Sequence, residues 1–319
     1  MTASEPQNMP PVLPEVYFGR VDPHWNPATR EHHWKNRTFG VMFDNDGSID
    51  PDDLARARAQ KAAGDIEWSK AAGYSDRYGV EALERLQRAA QDRALVFVDF
   101  RGRDGDTVMI GRAAGPLHIV PILERYTRGA RAGQDGESRY KCITIAEPKF
   151  FGLDPVLAAM RPQQATFTRW PSAATRVRAL YQGTRLERTV ESLTPGQLEA
   201  LCYEHLRASE PELRLLLPVG RTLPDIDIYG MLPSGKRIAA QVTHSRSDGA
   251  VVLHKAKALA ATTKAETRVL FAGEAAIEVA RSAVERLTPP VALVAIETVF
   301  NDVSTATPWF IDAMLAATA

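Results

Sequence analysis

The sequence predicts an α/β protein (α+β overall), in which a mixed sheet flanked by helices follows a small β-barrel-like mixed domain. Two observations carry this prediction. In the second half of the chain, helical and strand patterns alternate in the order α-β-β-α-β-α-β-α, which is typical of a central mixed sheet covered on both faces. In the first half, several short apolar strands separated by glycine turns favour a small, partly open barrel.

Composition limits the class of protein. The 319 residues suffice for two domains, and 45% hydrophobic with 24% charged residues is typical of a globular chain. The 39 basic and 39 acidic residues balance, which leaves nucleic-acid binding open because a local basic face is enough. Only Cys142 and Cys202 occur, far apart, so we expect no structural zinc site and a reducing, cytoplasmic location. The sequence contains no run of about 18 apolar residues, so it predicts no membrane-spanning helix.

Changes in residue composition and pattern along the chain predict three segments. Residues 1–15 are proline-rich and read as a disordered lead-in. A change of pattern near 182–194 separates a first domain, 16–182, from a second domain, 183–319. In the first domain the predicted strands are 38–43, 95–100, 107–112, 141–145 and 165–170, with a turn at 44–48 and a helix at 80–93.

The second domain begins with a clear helix start. Thr194 is a capping residue, Pro195 suits the first helical position, and Gln197 completes a capping box. We expect this helix to end near Ala208. The later predicted elements are helix 251–264, strand 268–272, helix 275–286, strand 290–296 and helix 307–317.

Between the first two of these helices lies an acidic hairpin, 222–244. Its first apolar run carries Asp225 and Asp227, a turn follows at 232–235, and its second run carries Gln241 near the end. Strand alternation predicts that Asp225 and Asp227 share a face and converge on one site. Such a hairpin places an acid beside a polar group, a geometry that metal-dependent nucleases use. Alternatively, the acids are solvated edge-strand residues, and Gln241 has a purely structural partner.

The ordered series formed by the helix with Glu199, the acidic run 225–230 and the strand 240–243 resembles the Mrr-type branch of the PD-(D/E)xK restriction-endonuclease-like proteins. In that branch Gln often replaces the acid of the third element. The resemblance covers 183–319. The first domain resembles the PUA/EVE-like reader domains often fused to such nucleases. The segments that carry this second resemblance are 39–49, 97–100, 105–108, 110–112 and 168–170.

The nuclease resemblance implies a restriction-endonuclease-like sheet and a Mg²⁺ or Mn²⁺ site. Asp227 and Gln241 would bind the ion, Glu199 would reach it through water, and Asp225 would assist. Glu199 has a second explanation, because an acid near a helix N-terminus is favoured by the helix dipole alone. The resemblance also implies a DNA partner and a homodimer, since cutting two strands needs two sites.

One position departs from the family pattern. The lysine expected two residues after Gln241 is replaced by Thr243, which carries no charge. Lys255 or Lys257 from the following helix, Lys236 from the hairpin, or His244 could substitute. We favour a migrated lysine, because the site needs a cation near neutral pH and an ordinary histidine is mostly neutral there.

The first domain offers candidate nucleic-acid contacts. Three tryptophans with polar neighbours could form a cage that stacks a flipped, modified base: Trp34, Trp68 and Trp170. The arginine-rich stretch 161–188 could track phosphates, with Arg169, Arg176 and Arg178 as its candidates. The alternatives are core tryptophans and an ordinary solvated arginine face.

These observations favour a metal-dependent DNA endonuclease of restriction or antiphage defence type, whose first domain recognises modified or unusual DNA. A catalytically inactive nuclease-fold module that only binds DNA is the main alternative, because of Thr243. A defence effector that senses a nucleotide signal is a third. It ranks last, since the sequence has no phosphate-cradling glycine loop.

Overall fold

The computed structural model describes residues 13–21, 27–42, 51–71, 73–74, 77–101, 107–125, 133–162, 166–217, 219, 223, 225–262 and 265–316. The chain divides into two compact units, the first ending at Thr184 and the second spanning Arg185–Ala316. The predicted turn at 44–48, and all but the last three residues of the predicted lead-in, lie outside the described residues. Within the described ranges, no helix is long and apolar enough to cross a membrane.

The first unit combines a six-stranded sheet with helices. Its strands are β1 (Val16–Val21), β2 (Thr38–Val41), β3 (Leu95–Phe100), β4 (Thr107–Arg125), β5 (Asp135–Gly152) and β6 (Phe167–Arg169). Its helices are α1 (Pro27–Asn36), α2 (Pro51–Ala62), α3 (Trp68–Ala71), α4 (Arg77–Gln91), α5 (Pro155–Met160) and α6 (Ala174–Gln182). A 3₁₀ turn, Pro171–Ala173, leads into α6.

The strand order in this sheet is β2-β5-β4-β3-β1-β6. β1 and β3 run parallel, with Arg20 opposite Asp99, and the remaining pairs are antiparallel. The sheet is therefore mixed, and it curls into a half-barrel, which confirms the predicted β-barrel-like mixed domain.

Both faces of β3 are buried, which explains why this strand reads as a continuous apolar run. Alternate residues of β3 point to opposite sides. Val98 and Phe100 join a core with α4, whereas Leu95 and Phe97 join a second core with Trp170. The one charged residue of β3, Asp99, is completely buried on the side of Phe97.

The second unit is a five-stranded mixed sheet between helices. Its strands are β7 (Arg214–Leu215), β8 (Ile228–Met231), β9 (Arg237–Val242), β10 (Thr267–Ala272) and β11 (Ala292–Ala295). Its helices are α7 (Pro195–Ser209), α8 (Gly249–Ala260), α9 (Glu274–Val284), α10 (Ile296–Ala306) and α11 (Pro308–Leu315). A 3₁₀ turn, Val190–Ser192, precedes α7.

The strand order here is β11-β10-β9-β8-β7. β7, β8 and β9 form an antiparallel meander, and β9, β10 and β11 run parallel. Apolar residues of α8 and α9 cover one face, where Ala239, Leu270 and Leu259 are fully buried. The predicted fold class, a mixed sheet flanked by helices, is therefore confirmed.

The start of α7 has the predicted geometry. The Thr194 side chain accepts from the Gln197 amide, and the Gln197 side chain accepts from the Thr194 amide. Two of the orphan amides at this helix end are thereby satisfied. This capped start fixes the position of Glu199, which lies in the second turn.

Candidate functional site

Asp227 lies immediately before β8, where the backbone holds its carboxylate in place. Its amide donates to the Ala240 carbonyl at 3.0 Å, and its Oδ2 accepts from the Val242 amide at 2.8 Å. The carboxylate is thus fixed at the carboxyl end of β9, next to the position of Gln241. In the described chain, no hydrogen-bond donor contacts Oδ1, and the residue is half-buried.

Gln241 supplies the most unusual atom of the site. The residue is only 4% exposed, and its Oε1 is buried without a hydrogen-bond donor among the described residues. A buried amide oxygen without a partner costs about 1–3 kcal/mol. Such an atom is satisfied where a water or an ion supplies its partner, and an amide oxygen is a ligand atom that hard divalent cations accept.

The charges of Glu199 and Asp227 both affect the pKa of one thiol, that of Cys202, which follows Glu199 by one helical turn. Burial raises the pKa of Cys202, and the negative charges of Asp227 and Glu199 raise it further. Both carboxylates therefore lie within electrostatic range of this one buried side chain. The grouping of Asp227 with Glu199 in one metal site stays a prediction.

A second electrostatic link connects Asp227 with α8 through His244. Desolvation lowers the pKa of His244 below its usual 6.5, and the positive charges of Lys255 and Arg246 lower it further, whereas Asp227 opposes them. Lys255 is half-buried, one turn after the buried Val252. Lys255 and Asp227 therefore approach the same imidazole from two different elements.

The other candidate lysines are placed away from this neighbourhood. Lys257 is exposed, and two residues along a helix turn its side chain to the opposite side from Lys255. Lys236 lies at the turn that opens β9, about 16 Å along the strand from Gln241 at roughly 3.3 Å per residue. Of the three lysines, Lys255 is the one whose charge acts on His244, the imidazole that Asp227 also influences.

Thr243 occupies the expected lysine position with a structural role. It is almost fully buried, its amide donates to the Phe271 carbonyl at 2.9 Å, and its Oγ1 accepts from the Ser245 amide at 3.3 Å. These bonds fix the loop between β9 and α8. A lysine at this position would bring a charge into a buried, hydrogen-bonded corner.

The prediction that Asp225 shares a face with Asp227 is wrong. Asp225 is exposed in a turn with a φ of 59°, and an isolated bridge between Leu223 and Ile226 closes that turn. The strand itself begins at Ile228. Because strand alternation applies only within an extended segment, it does not connect the two acids.

The donor set fits a hard divalent cation. Among the described residues, no group of three or more His, Cys, Asp or Glu side chains is arranged to hold a metal ion. Mg²⁺ usually needs only one or two carboxylates because it keeps several water ligands. Asp227 with the unpartnered oxygen of Gln241 matches that requirement.

In the first unit, the predicted cage of three tryptophans is wrong. Trp170 is only 3% exposed and packs edge-on against Phe18 and Phe97, with ring centroids 5.1 and 5.3 Å away. It fills the core on one side of β3. Trp34 lies on the other side, 5.2 Å from Phe100 and 4.5 Å from Phe150.

The other two candidate tryptophans, Trp34 and Trp68, keep partial exposure. Trp68 is half-buried, and the Lys61 ammonium lies 5.1 Å from its ring centroid. Trp34 is also half-buried, while its neighbour Phe150 is 42% exposed. Trp34 with Phe150 is therefore an accessible aromatic pair of the first unit, and Phe150 is a residue that the sequence patterns did not single out.

The predicted phosphate contact of Arg176 is also wrong. Arg176 is 3% exposed and forms a two-bond pair with Asp154, with Nε–Oδ1 and Nη2–Oδ2 distances of 3.0 and 2.8 Å. Asp154 also caps α5. The pair anchors one helix to another, and its burial excludes a ligand.

Arg169 and Arg178 retain exposed surface but have local partners. Arg178 donates twice to the Pro14 carbonyl, at 3.0 and 2.7 Å, and Arg169 forms an ion pair with Glu15. Both arginines hold the segment that leads into β1. Their role as phosphate contacts stays a prediction.

Three solved structures of DNA endonucleases are similar to this chain at a low level. A repair endonuclease from Pyrococcus abyssi is 11% identical, with a TM-score of 0.23, covering 60% of this chain and 78% of that one. The EndoMS protein in its complex with double-stranded DNA is 10% identical, with a TM-score of 0.18, covering 60% and 77%. The DNA modification-dependent restriction endonuclease AspBHI is 16% identical, with a TM-score of 0.20, covering 94% and 84%.

TM-scores this low carry no argument about activity, which is therefore argued from the residues of this chain. No protein-family model matches the sequence, and the search of curated proteins gave no significant match.

Proposed function

We propose that this chain is a metal-dependent DNA endonuclease of restriction or antiphage defence type, cutting with its second unit and recognising modified or unusual DNA with its first. The observation that carries the proposal is the buried, unpartnered Oε1 of Gln241 beside the carboxylate that Val242 fixes at Asp227. The mixed sheet with a capped opening helix is the scaffold that such a site needs.

In this proposal, Asp227 and Gln241 bind Mg²⁺ or Mn²⁺ directly, and Glu199 binds it through water. The bound ion would lower the pKa of a water molecule and neutralise charge at the phosphate. The hydrogen bond from the Val242 amide to Oδ2 holds the Asp227 carboxylate in one orientation. The partly closed position of Asp227 excludes some of the competing water.

Lys255 is the proposed substitute for the missing lysine. Its helix is fixed at its start by Asp248, whose Oδ1 accepts from the Ala250 and Val251 amides at 2.9 and 3.3 Å. Its effect on His244 supports an ammonium group near the site. A cation there would stabilise the additional negative charge that develops on the phosphate during attack.

Cleavage of plasmid and phage DNA, modified and unmodified, in Mg²⁺ or Mn²⁺ tests this function. We expect the wild-type chain to cut at least one of these substrates and Asp227→Ala to cut none. Equal activity of the two proteins would refute the assignment. Because two strands need two sites, we also propose a homodimer, which sedimentation of the DNA-bound chain would test.

A catalytically inactive DNA-binding module is the second candidate. The observation that favours it is the buried, hydrogen-bonded Thr243 at the expected lysine position. This alternative predicts salt-dependent DNA binding and no cleavage with any divalent metal. The plasmid assay, run beside a binding assay on the same preparation, separates the two candidates.

A further inference from the structure

Three guanidinium groups meet at one end of the sheet in the first unit. Arg101 Nε and Arg161 Nη1 both donate to the same oxygen, Asp99 Oδ2, each at 3.0 Å. Arg30 Nη1 donates to the Arg101 carbonyl at 3.2 Å. The arginines come from the end of β3, the end of α5 and α1, so the fold itself assembles this cluster.

The charges in this cluster do not balance. Asp99 is completely buried and supplies one negative charge, whereas Arg30, Arg101 and Arg161 supply three positive charges. The pair of Arg176 with Asp154 is different, because there one guanidinium meets both oxygens of one carboxylate. Among the described residues, the cluster around Asp99 therefore keeps a net positive charge that an anion would neutralise.

The arginines of the cluster also keep unused donors. Arg101 uses only Nε, and Arg161 uses Nε and Nη1, so both terminal groups of Arg101 and Nη2 of Arg161 contact no acceptor in the described ranges. The two side chains are 23% and 20% exposed. Asp99 thus holds two guanidinium groups in fixed positions while their outer donors reach solvent, which is the arrangement that binds phosphate oxygens in pairs.

The place and one further atom support a ligand. Arg101 follows the carboxyl end of β3 beside the parallel strand β1, where ligands of open α/β sheets characteristically bind. Asp99 Oδ1 is buried and has no donor within the described chain. A phosphate oxygen accepts and cannot donate to this carboxylate oxygen, so a trapped water that bridges Asp99 Oδ1 to the bound anion would supply the hydrogen bond.

We propose that Arg30, Arg101 and Arg161 form a phosphate-binding site in the first unit. The phosphate belongs either to the backbone of bound DNA or to a free nucleotide, since both offer the same oxygens. The site is separate from the carboxylate site at Asp227 and requires no metal. It therefore goes beyond the proposed cleavage and can be tested without it.

The test measures binding to the full chain in EDTA, so that cleavage plays no part. The probes are a fluorescent DNA duplex and ATP, with inorganic phosphate as competitor. We expect Arg161→Gln and Arg30→Gln each to weaken one probe by about tenfold or more, the range for a hydrogen bond between charged groups. Arg58→Gln, which removes an exposed arginine paired with Glu84 in the same unit, is the matched control and should stay within about twofold.

The two probes separate the sources of the phosphate. A loss confined to DNA, with a salt slope that falls by about one per variant, assigns the site to backbone phosphates. A loss confined to ATP assigns it to a free nucleotide. Arg30→Gln leaves both ion pairs of Asp99 intact, so it keeps the test valid if Arg161→Gln unfolds. Wild-type affinity for both probes in the folded variants, or no binding of either by wild type, would overturn the proposal.

Discussion

The two units place opposite types of polar group, acceptor oxygens in one and donor guanidinium groups in the other, at the carboxyl end of a strand. At the carboxyl end of β9, Asp227 and Gln241 present acceptor oxygens. At the carboxyl end of β3, Arg101 and Arg161 present donors around one buried carboxylate. At a strand end, side chains can reach a ligand without interrupting the backbone hydrogen bonds between strands, and in both units the polar cluster lies at such an end. The comparison teaches that the ligand class we propose follows from the side chains there, a cation in one unit and an anion in the other.

The largest expected effect comes from removing the carboxylate at the cation-binding end. Asp227→Asn should reduce DNA cleavage by about 10²–10³-fold, because an amide cannot supply the negative charge that holds a divalent ion. Asp225→Asn is the matched control. It lies two residues away in an exposed turn, and asparagine tolerates its positive φ, so activity should be unchanged. Equal losses in both variants would mean that the hairpin, and not Asp227, is required.

The next effect concerns the cation beside that carboxylate. Lys255→Ala should reduce cleavage by about 10²-fold with DNA affinity little changed, since its charge is needed mainly in the transition state. Lys257→Ala removes the exposed lysine on the other side of α8 and should have no effect. Single-turnover rates on pre-bound DNA measure the difference. A larger loss in Lys257→Ala than in Lys255→Ala would contradict the assignment.

The two units should also differ in their response to acid, because His33 is buried in the first unit. Burial, and then the charge of His32, lowers the pKa of His33 to about 3 from 6.5. Its Nδ1 lies 3.0 Å from Thr38 Oγ1. Between these pH values the unfolded chain binds a proton that the folded chain does not. The contribution of His33 to the free energy of unfolding is therefore fully present above pH 6.5. It falls by about 1.4 kcal/mol per pH unit as the pH drops towards 3.

Urea unfolding at several pH values measures this slope. His33→Gln should lower stability at pH 7, because it disturbs a buried site, but it should flatten the decline between pH 6.5 and 3. His32→Gln is the control, since burial and His118 lower the pKa of the half-buried His32 without the complete burial of its neighbour. An unchanged slope in His33→Gln would exclude His33 as the acid-sensitive group.

The smallest effect separates binding from stability at Gln241. Gln241→Leu removes an oxygen that has no donor, so the free energy of unfolding should stay within about 1 kcal/mol of wild type or rise. Affinity for Mn²⁺ should nevertheless fall by about tenfold or more. Calorimetric titration and urea unfolding measure the two quantities. A large loss of stability with unchanged Mn²⁺ affinity would identify Gln241 as a structural residue.

Local patterns were enough to predict much of the second unit. The capping box at Thr194 and Gln197 acts through neighbouring residues, so the sequence indicates it directly. The alternation of strands and helices predicted the mixed sheet, and the bounds of β10 differ from the prediction by one residue. Helix α10 was missed, because its beginning at Ile296 continues the apolar run of β11 without a polar cap.

The site residues show where sequence reasoning fails. By strand alternation Asp225 was expected on the same face as Asp227, but its positive φ places it in a turn, where side chains do not alternate between two faces. Arg176 and Trp170 looked exposed because their sequence neighbours are polar, yet tertiary partners bury both. The cluster around Asp99 was not predicted, since Arg30, Arg101 and Arg161 come from three elements that are distant along the chain. A charged residue inside the apolar strand 95–100 was the one available signal.

The central claim is that the end of β9 binds a divalent cation and the end of β3 binds an anion. Electron paramagnetic resonance of Mn²⁺ titrated into the full chain, without DNA, tests the first half most directly. The account predicts one Mn²⁺ site per chain in wild type and in Arg161→Gln, and its loss in Asp227→Asn. Absence of Mn²⁺ binding in wild type, or equal binding in Asp227→Asn, would contradict it.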